Sequence, residues 1–182
     1  MKYLKTFEEN IKTITDFYME NNIDPDNLNY LGQGDFGTAY SIGDGRVLKK
    51  TSSENEFNLA KQMEGKDFPV LESIAKIYKT DIINGQMLII LEELETDSHI
   101  EDLYYELQNY LDEQNLPIQY IDYLDKDEIE ISEELQSFIN DLDDIIRAYR
   151  YLGVEASDIR PENMGYSKDD KLKAFDIDDK YR

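Results

Sequence analysis

Apolar positions along the chain follow two periods, one of three to four residues and one of two. Leu4, Phe7, Ile11, Ile14 and Tyr18 form one stripe and predict a helix over residues 4–20, stopped by Asn21, Asn22, Asp24 and Pro25. Phe57, Ala60 and Met63 predict a second helix opened by Ser53. Ser98 and Glu101 have the spacing of a capping box, and Ile100, Leu103, Tyr104, Leu107, Tyr110 and Leu111 continue it as a helical stripe. The longest stripe follows Ser132, with Leu135, Phe138, Ile139, Leu142, Ile145, Ile146, Tyr149 and Leu152. Glu133 and Glu134 lie in its first turn, Arg147 and Arg150 in its last two, and Gly153 is placed to cap it.

Strand signals occupy the first half. Leu31 to Tyr40 reads as two strands around a glycine loop, and the turn Gly43-Asp44-Gly45 leads to a third strand ending at Lys49. Residues 74–83 and 86–92 predict a hairpin around Asn84-Gly85. Met87 to Leu91 is continuously apolar, as in a strand buried on both faces, and Glu92-Glu93-Leu94 leads out of the sheet. Residues 112–131 are acidic and aromatic and carry no clear period.

Candidate chemistry lies at four places. Gly32, Gly34 and Gly37 form G-x-G-x-x-G, in which backbone N–H groups can approach phosphates. The same glycines also suit an ordinary hairpin turn, and a strand rather than a helix follows them, unlike the dinucleotide-binding pattern. Strand alternation places Lys49 on the face of Val47 and turns Lys50 away. Glu56 has two open readings: the far arm of a capping box with Ser53, or an ion-pair partner of Lys49, with Glu54 as a substitute. Asp158 precedes Asn163 by five residues, and a hairpin then delivers Asp176. One carboxylate to orient a hydroxyl, and an amide plus a carboxylate to hold hard cations, suit a magnesium-nucleotide site. Asp and Asn around Pro161 are also turn formers.

Composition narrows the partners. The formal net charge of −22 argues against nucleic-acid or anionic-membrane binding through phosphate neutralisation, so no direct nucleic-acid or membrane contact is expected. The chain has no cysteine, which excludes disulfides and thiolate metal sites and fits a cytoplasmic location. Its first residues are interrupted by charge and do not read as a signal peptide. The apolar content of 40% supports a folded core.

The order of these parts resembles the protein kinase-like superfamily over residues 27–178. The resemblance implies an α+β, two-lobed fold, with an antiparallel-sheet N-lobe over residues 25–95 and a truncated helical C-lobe over 96–182, preceded by a helix in residues 1–24. By similarity, Gly32, Gly34 and Gly37 cover the phosphates of ATP, and Lys49, paired with Glu56, contacts them. Leu91 resembles the residue that guards the adenine pocket, and Glu92 to Leu94 the hinge. Asp158 resembles the catalytic aspartate, and Arg160 stands where that loop has a lysine. Asn163 and Asp176 resemble the ligands of Mg2+. Ala156 and Ser157 depart from the family's His and Arg, and Asp178 replaces the glycine after D-F, as an auxiliary metal ligand or a surface acid.

The implied function is ATP- and magnesium-dependent transfer of a phosphoryl group to a hydroxyl. A protein partner or a second copy of the chain is expected to cover the truncated C-lobe, beneath the helix that follows Ser132. Two other readings stay open. One is a pseudokinase that acts as a nucleotide-binding or regulatory module. The other is an acidic inhibitor or nucleic-acid mimic that acts through charge.

Overall fold

The computed structural model describes residues 12–123, 131–155 and 159–177. Asp158, Ala156, Ser157 and Asp178 therefore lie outside the described residues, as does the expected helical stretch 4–11. The chain is α+β, with a five-stranded antiparallel sheet and, among the described residues, four α-helices. None of these helices is long and apolar enough to cross a membrane.

The first helix, α1, spans Ile14–Glu20. It is shorter than the expected 4–20. Thr13 stops it from extending backwards, because its side chain caps the Asp16 N–H while Asp16 returns a bond to the Thr13 N–H. The strands are β1 (Asn29–Gln33), β2 (Gly37–Gly43), β3 (Arg46–Thr51), β4 (Ile77–Ile83) and β5 (Gln86–Glu92), ordered β1-β2-β3-β5-β4. Helix α2, Glu54–Met63, follows β3 and is capped by Ser53. The expected strand from Ile74 starts later, at Ile77, because Ile74 makes a parallel bridge to Ala174 instead.

Strand β5 explains the layering. Ile89 and Leu91 enter the main core, whereas Leu88 and Ile90 enter a second cluster with Phe17 of α1 and Leu48 of β3. Its continuous apolar run thus serves two cores, one on each face of the sheet. Helix α1 closes the outer face, and Lys12 reaches Asp81 of β4 at 2.6 Å.

Helix α3, Ser98–Glu113, is capped by Asp97 rather than by Ser98: the Asp97 carboxylate accepts from the His99 N–H at 3.0 Å. The expected Ser98–Glu101 box is therefore displaced by a better acceptor one residue earlier. A 3-10 stretch, Ile118–Tyr123, lies in the region without a clear period. Helix α4, Glu133–Leu152, has Ser132 as its N-cap and a left-handed Gly153 as its C-cap. Its apolar stripe, from Leu135 to Tyr149, is buried within the chain. A short hairpin ends the described fold, with β6 (Met164–Tyr166) and β7 (Leu172–Ala174).

Candidate functional site

A cleft of about 630 Å³ lies between the sheet and the segments that follow α4. Its size falls in the range of small-molecule sites. Gly32, Gly34 and Gly37 line one side, Leu91, Glu92 and Leu94 another, and Arg160, Asn163 and Asp176 a third, with Lys49 and Glu56 also on its wall. The described members of the predicted set therefore meet in one place.

Lys49 is the centre of its charge. Its position in β3, opposite Ala39 and Ile89, puts it on the main-core side of the sheet. Lys50 points the other way and lies over the Tyr40 ring, 5.1 Å from its centroid. The Lys49 ammonium pairs with the Glu56 carboxylate and stands 3.2 Å from Asp176 Oδ1. Glu56 uses its backbone N–H for the Ser53 cap and turns its side chain to Lys49. Only 5% of the Glu56 side chain and 15% of that of Lys49 are exposed, against 37% for Asp176.

Burial works against both charges of the inner pair. For Lys49, desolvation lowers the pKa, but Glu56 and Asp176 outweigh it, and the ammonium is held above the ordinary lysine value. For Glu56, desolvation dominates, Lys49 opposes it and Asp176 adds to it, so its pKa is raised. Two carboxylates face one lysine here, and the cleft floor carries surplus negative charge.

The glycine loop is held down by one carbonyl. Phe36 O accepts from the Ser52 N–H at 2.6 Å and from the Ser52 hydroxyl at 2.9 Å, while the Gly34 N–H donates to Gly37 O at 3.0 Å. The three glycines have different reasons to be glycine. A Cβ on Gly37 would run into the Lys50 carbonyl, so the hairpin itself excludes a side chain there. A Cβ on Gly32 or Gly34 would meet nothing within 4 Å, and neither residue has a positive φ. The fold does not require glycine at these two positions; close approach of a ligand would.

The third wall consists of short segments placed by distant ones. Pro161–Asn163 forms a 3-10 turn, and the Asn163 carbonyl accepts from the Phe175 N–H at 3.0 Å. That bond ties the two oxygen-donor residues, Asn163 and Asp176, to one another through the main chain. Arg160 lies at the lip, 3.8 Å from Glu162. Glu92 is held by Lys173 at 2.8 Å and by the Lys76 N–H at 3.1 Å. Next to it, Glu95 and Tyr166 exchange two backbone bonds of 2.8 Å. Gly165 makes that approach feasible, since a Cβ there would stand 2.8 Å from Leu94 Cβ.

Asn163 and Asp176 offer an amide and a carboxylate oxygen, the donors magnesium takes while its other positions are filled by water and phosphate. Among the described residues no group of three His, Cys, Asp or Glu stands close enough to hold a metal alone.

Three contributors were not visible in the sequence: Lys173, Tyr104 and Tyr149. Lys173 carried no signal, and the two tyrosines read as members of apolar stripes. Their hydroxyls donate into this third wall, Tyr104 to the Ile159 carbonyl at 2.9 Å and Tyr149 to the Asp176 carbonyl at 3.0 Å. No protein-family model matches the chain, and no curated protein matches it.

Proposed function

We propose that the protein is a minimal, two-lobed protein kinase-like phosphotransferase that binds ATP with magnesium in this cleft and passes the γ-phosphoryl group to a hydroxyl acceptor. The observation that carries the reading is Lys49, held between Glu56 and Asp176 on the wall of a cleft lined by the glycine loop. A buried lysine fixed by two carboxylates is a placed positive charge, suited to phosphate oxygens. The sheet order β1-β2-β3-β5-β4, with α2 packed against β3, β4 and β5, is in keeping with the N-lobe of that fold.

In this reading the backbone of Gly32 and Gly34 lies along the phosphates, and Glu56 keeps Lys49 aimed at them. Asn163 and Asp176 hold magnesium, which supplies positive charge against the phosphate oxygens. Leu91 and the segment Glu92 to Leu94 border the base. Arg160 offsets charge that develops during transfer, and Asp158 orients the acceptor hydroxyl and takes up its proton.

The test is a thermal titration with ATP and magnesium. At about 100 times the dissociation constant, the complex should gain about 2.7 kcal/mol. Lys49→Ala should reduce that gain more than Lys50→Ala. A melting transition that neither nucleotide nor magnesium moves would refute the reading. Binding without any hydrolysis or transfer, unchanged by Asp158→Asn, would leave a nucleotide-binding module of the pseudokinase kind.

A further inference from the structure

Asp176 sits on a segment with no regular structure of its own, since β7 ends at Ala174. Its main chain is nonetheless fixed on both sides. The Phe175 N–H donates to the Asn163 carbonyl at 3.0 Å, and the Asp176 carbonyl accepts from the Tyr149 hydroxyl, also at 3.0 Å. Tyr149 itself is fixed. It lies on the buried stripe of α4, one turn before Gly153, and is 1% exposed. The phenol is thus a rigid donor on a long helix, aimed at the peptide that carries a carboxylate of the cleft. A tyrosine that only filled the core would lose nothing as phenylalanine. This one carries its hydroxyl to a loop carbonyl 27 residues further along the chain.

We infer that Tyr149 is a positioning residue: its hydroxyl sets the Asp176 carboxylate where Lys49 and an incoming metal–nucleotide complex meet it. The inference rests on the reading of the cleft as a magnesium-nucleotide site. Tyr104 does the same kind of work one segment away, with its hydroxyl on the Ile159 carbonyl at 2.9 Å. The two helices therefore each pin a different segment of the third wall, and Tyr104 provides a matched control for Tyr149.

Tyr149→Phe removes one oxygen and keeps the ring in the core. Two measurements on the full chain decide the matter. The first is amide hydrogen exchange without ligand. In Tyr149→Phe the Phe175 amide should lose protection by about tenfold, as expected for one lost hydrogen bond, while the Asn163 amide holds. In Tyr104→Phe the Asn163 amide, bonded to Arg160 O at 3.0 Å, should be the one to loosen. The second is binding of Mn2+ with ATP, followed by the manganese resonance spectrum. Tyr149→Phe should weaken it about five- to tenfold, and Tyr104→Phe should weaken it less. A uniform loss of protection over the whole chain, or unchanged manganese-nucleotide affinity in Tyr149→Phe, would overturn the inference. Failure of the unmodified protein to bind manganese with ATP would instead overturn the functional reading beneath it.

Discussion

Lys49→Met tests the charge balance of the cleft without any ligand. Methionine keeps most of the stem and removes the ammonium, leaving Glu56 and Asp176 to face one another. Glu56 is then a carboxylate with a 5% exposed side chain and no cation. Leaving a buried charge uncompensated costs about 3–5 kcal/mol. The lower end applies, because Asp176 is 37% exposed and screened by solvent, and because Glu56 can take up a proton. The expected loss is therefore about 3 kcal/mol, or roughly 6–12 °C in a chain of this size. Glu56→Gln should cost only about 1 kcal/mol, since Lys49 keeps Asp176 as its partner. The pH dependence follows from the direction of the Glu56 shift. A carboxyl whose folded pKa lies above its unfolded value of 4.5 destabilises the fold above that folded pKa and ceases to do so as pH falls towards 4.5. Removing Lys49 raises the folded value further. The deficit of Lys49→Met should thus be widest near neutrality and narrow steadily on acidification. Urea unfolding of both variants at several pH values measures all of this. A Glu56→Gln loss as large as that of Lys49→Met, or a Lys49→Met deficit that does not change with pH, would refute the shared-lysine arrangement.

Three further outcomes follow from other contacts. His99 bonds Glu134 at 2.7 Å, which raises its pKa above the ordinary 6.5, so the pair helps below that value and its help is lost as pH rises through the folded pKa. Proton resonance of this one histidine should report the raised value, and Glu134→Gln should bring it back towards 6.5. Gly37→Ala drives a Cβ into the Lys50 carbonyl and should cost about 1–3 kcal/mol, whereas Gly34→Ala should leave stability within about 0.5 kcal/mol and weaken ATP binding. Equal melting of the two alanine variants would show that the loop geometry is wrong. Lys173→Met should lose about 1.5 kcal/mol by urea midpoint, because its partner Glu92 is mostly shielded, while Lys171→Met removes an exposed, solvent-screened pair with Glu72 and should lose less.

The sheet was legible because its signals are local. Asn84 and Gly85 both take positive φ, as the two-residue hairpin between β4 and β5 requires, and Gly43, Asp44 and Gly45 do so between β2 and β3. Alternation in β3 separated Lys49 from Lys50 for the same reason. The helix ends were less legible, because neighbouring side chains compete for the same N–H groups: Asp97 prevails over Ser98, and the Thr13–Asp16 box starts a helix inside an apolar stripe whose spacing runs on from Leu4 to Tyr18. The two readings of Glu56 could not be separated by spacing, since its backbone serves the Ser53 cap while its side chain serves Lys49. The late start of β4 had no local cause at all. Residues 73–75 are diverted by Ala174, a partner about one hundred positions away, and no pattern within either segment announces it.

That diversion bears on how the cleft works. Its walls are sewn together by main-chain bonds: Ala75 N–H to Ala174 O at 2.7 Å, Ala174 N–H to Ser73 O at 3.0 Å, and the double bond pair between Glu95 and Tyr166. Lys173 and Glu92 add an ion pair across the same junction. Opening the cleft as two hinged bodies would break several of these at once, each costing about 1 kcal/mol. The glycine loop is held far more lightly, through the Phe36 carbonyl and the Gly34–Gly37 turn, and its tip is exposed. Under the proposed reading, a ligand would meet a floor and two walls already in place, with only the loop left to adjust. Ordering that loop is a smaller entropic cost than closing two domains, so binding strength should depend more on the loop glycines than on the junction.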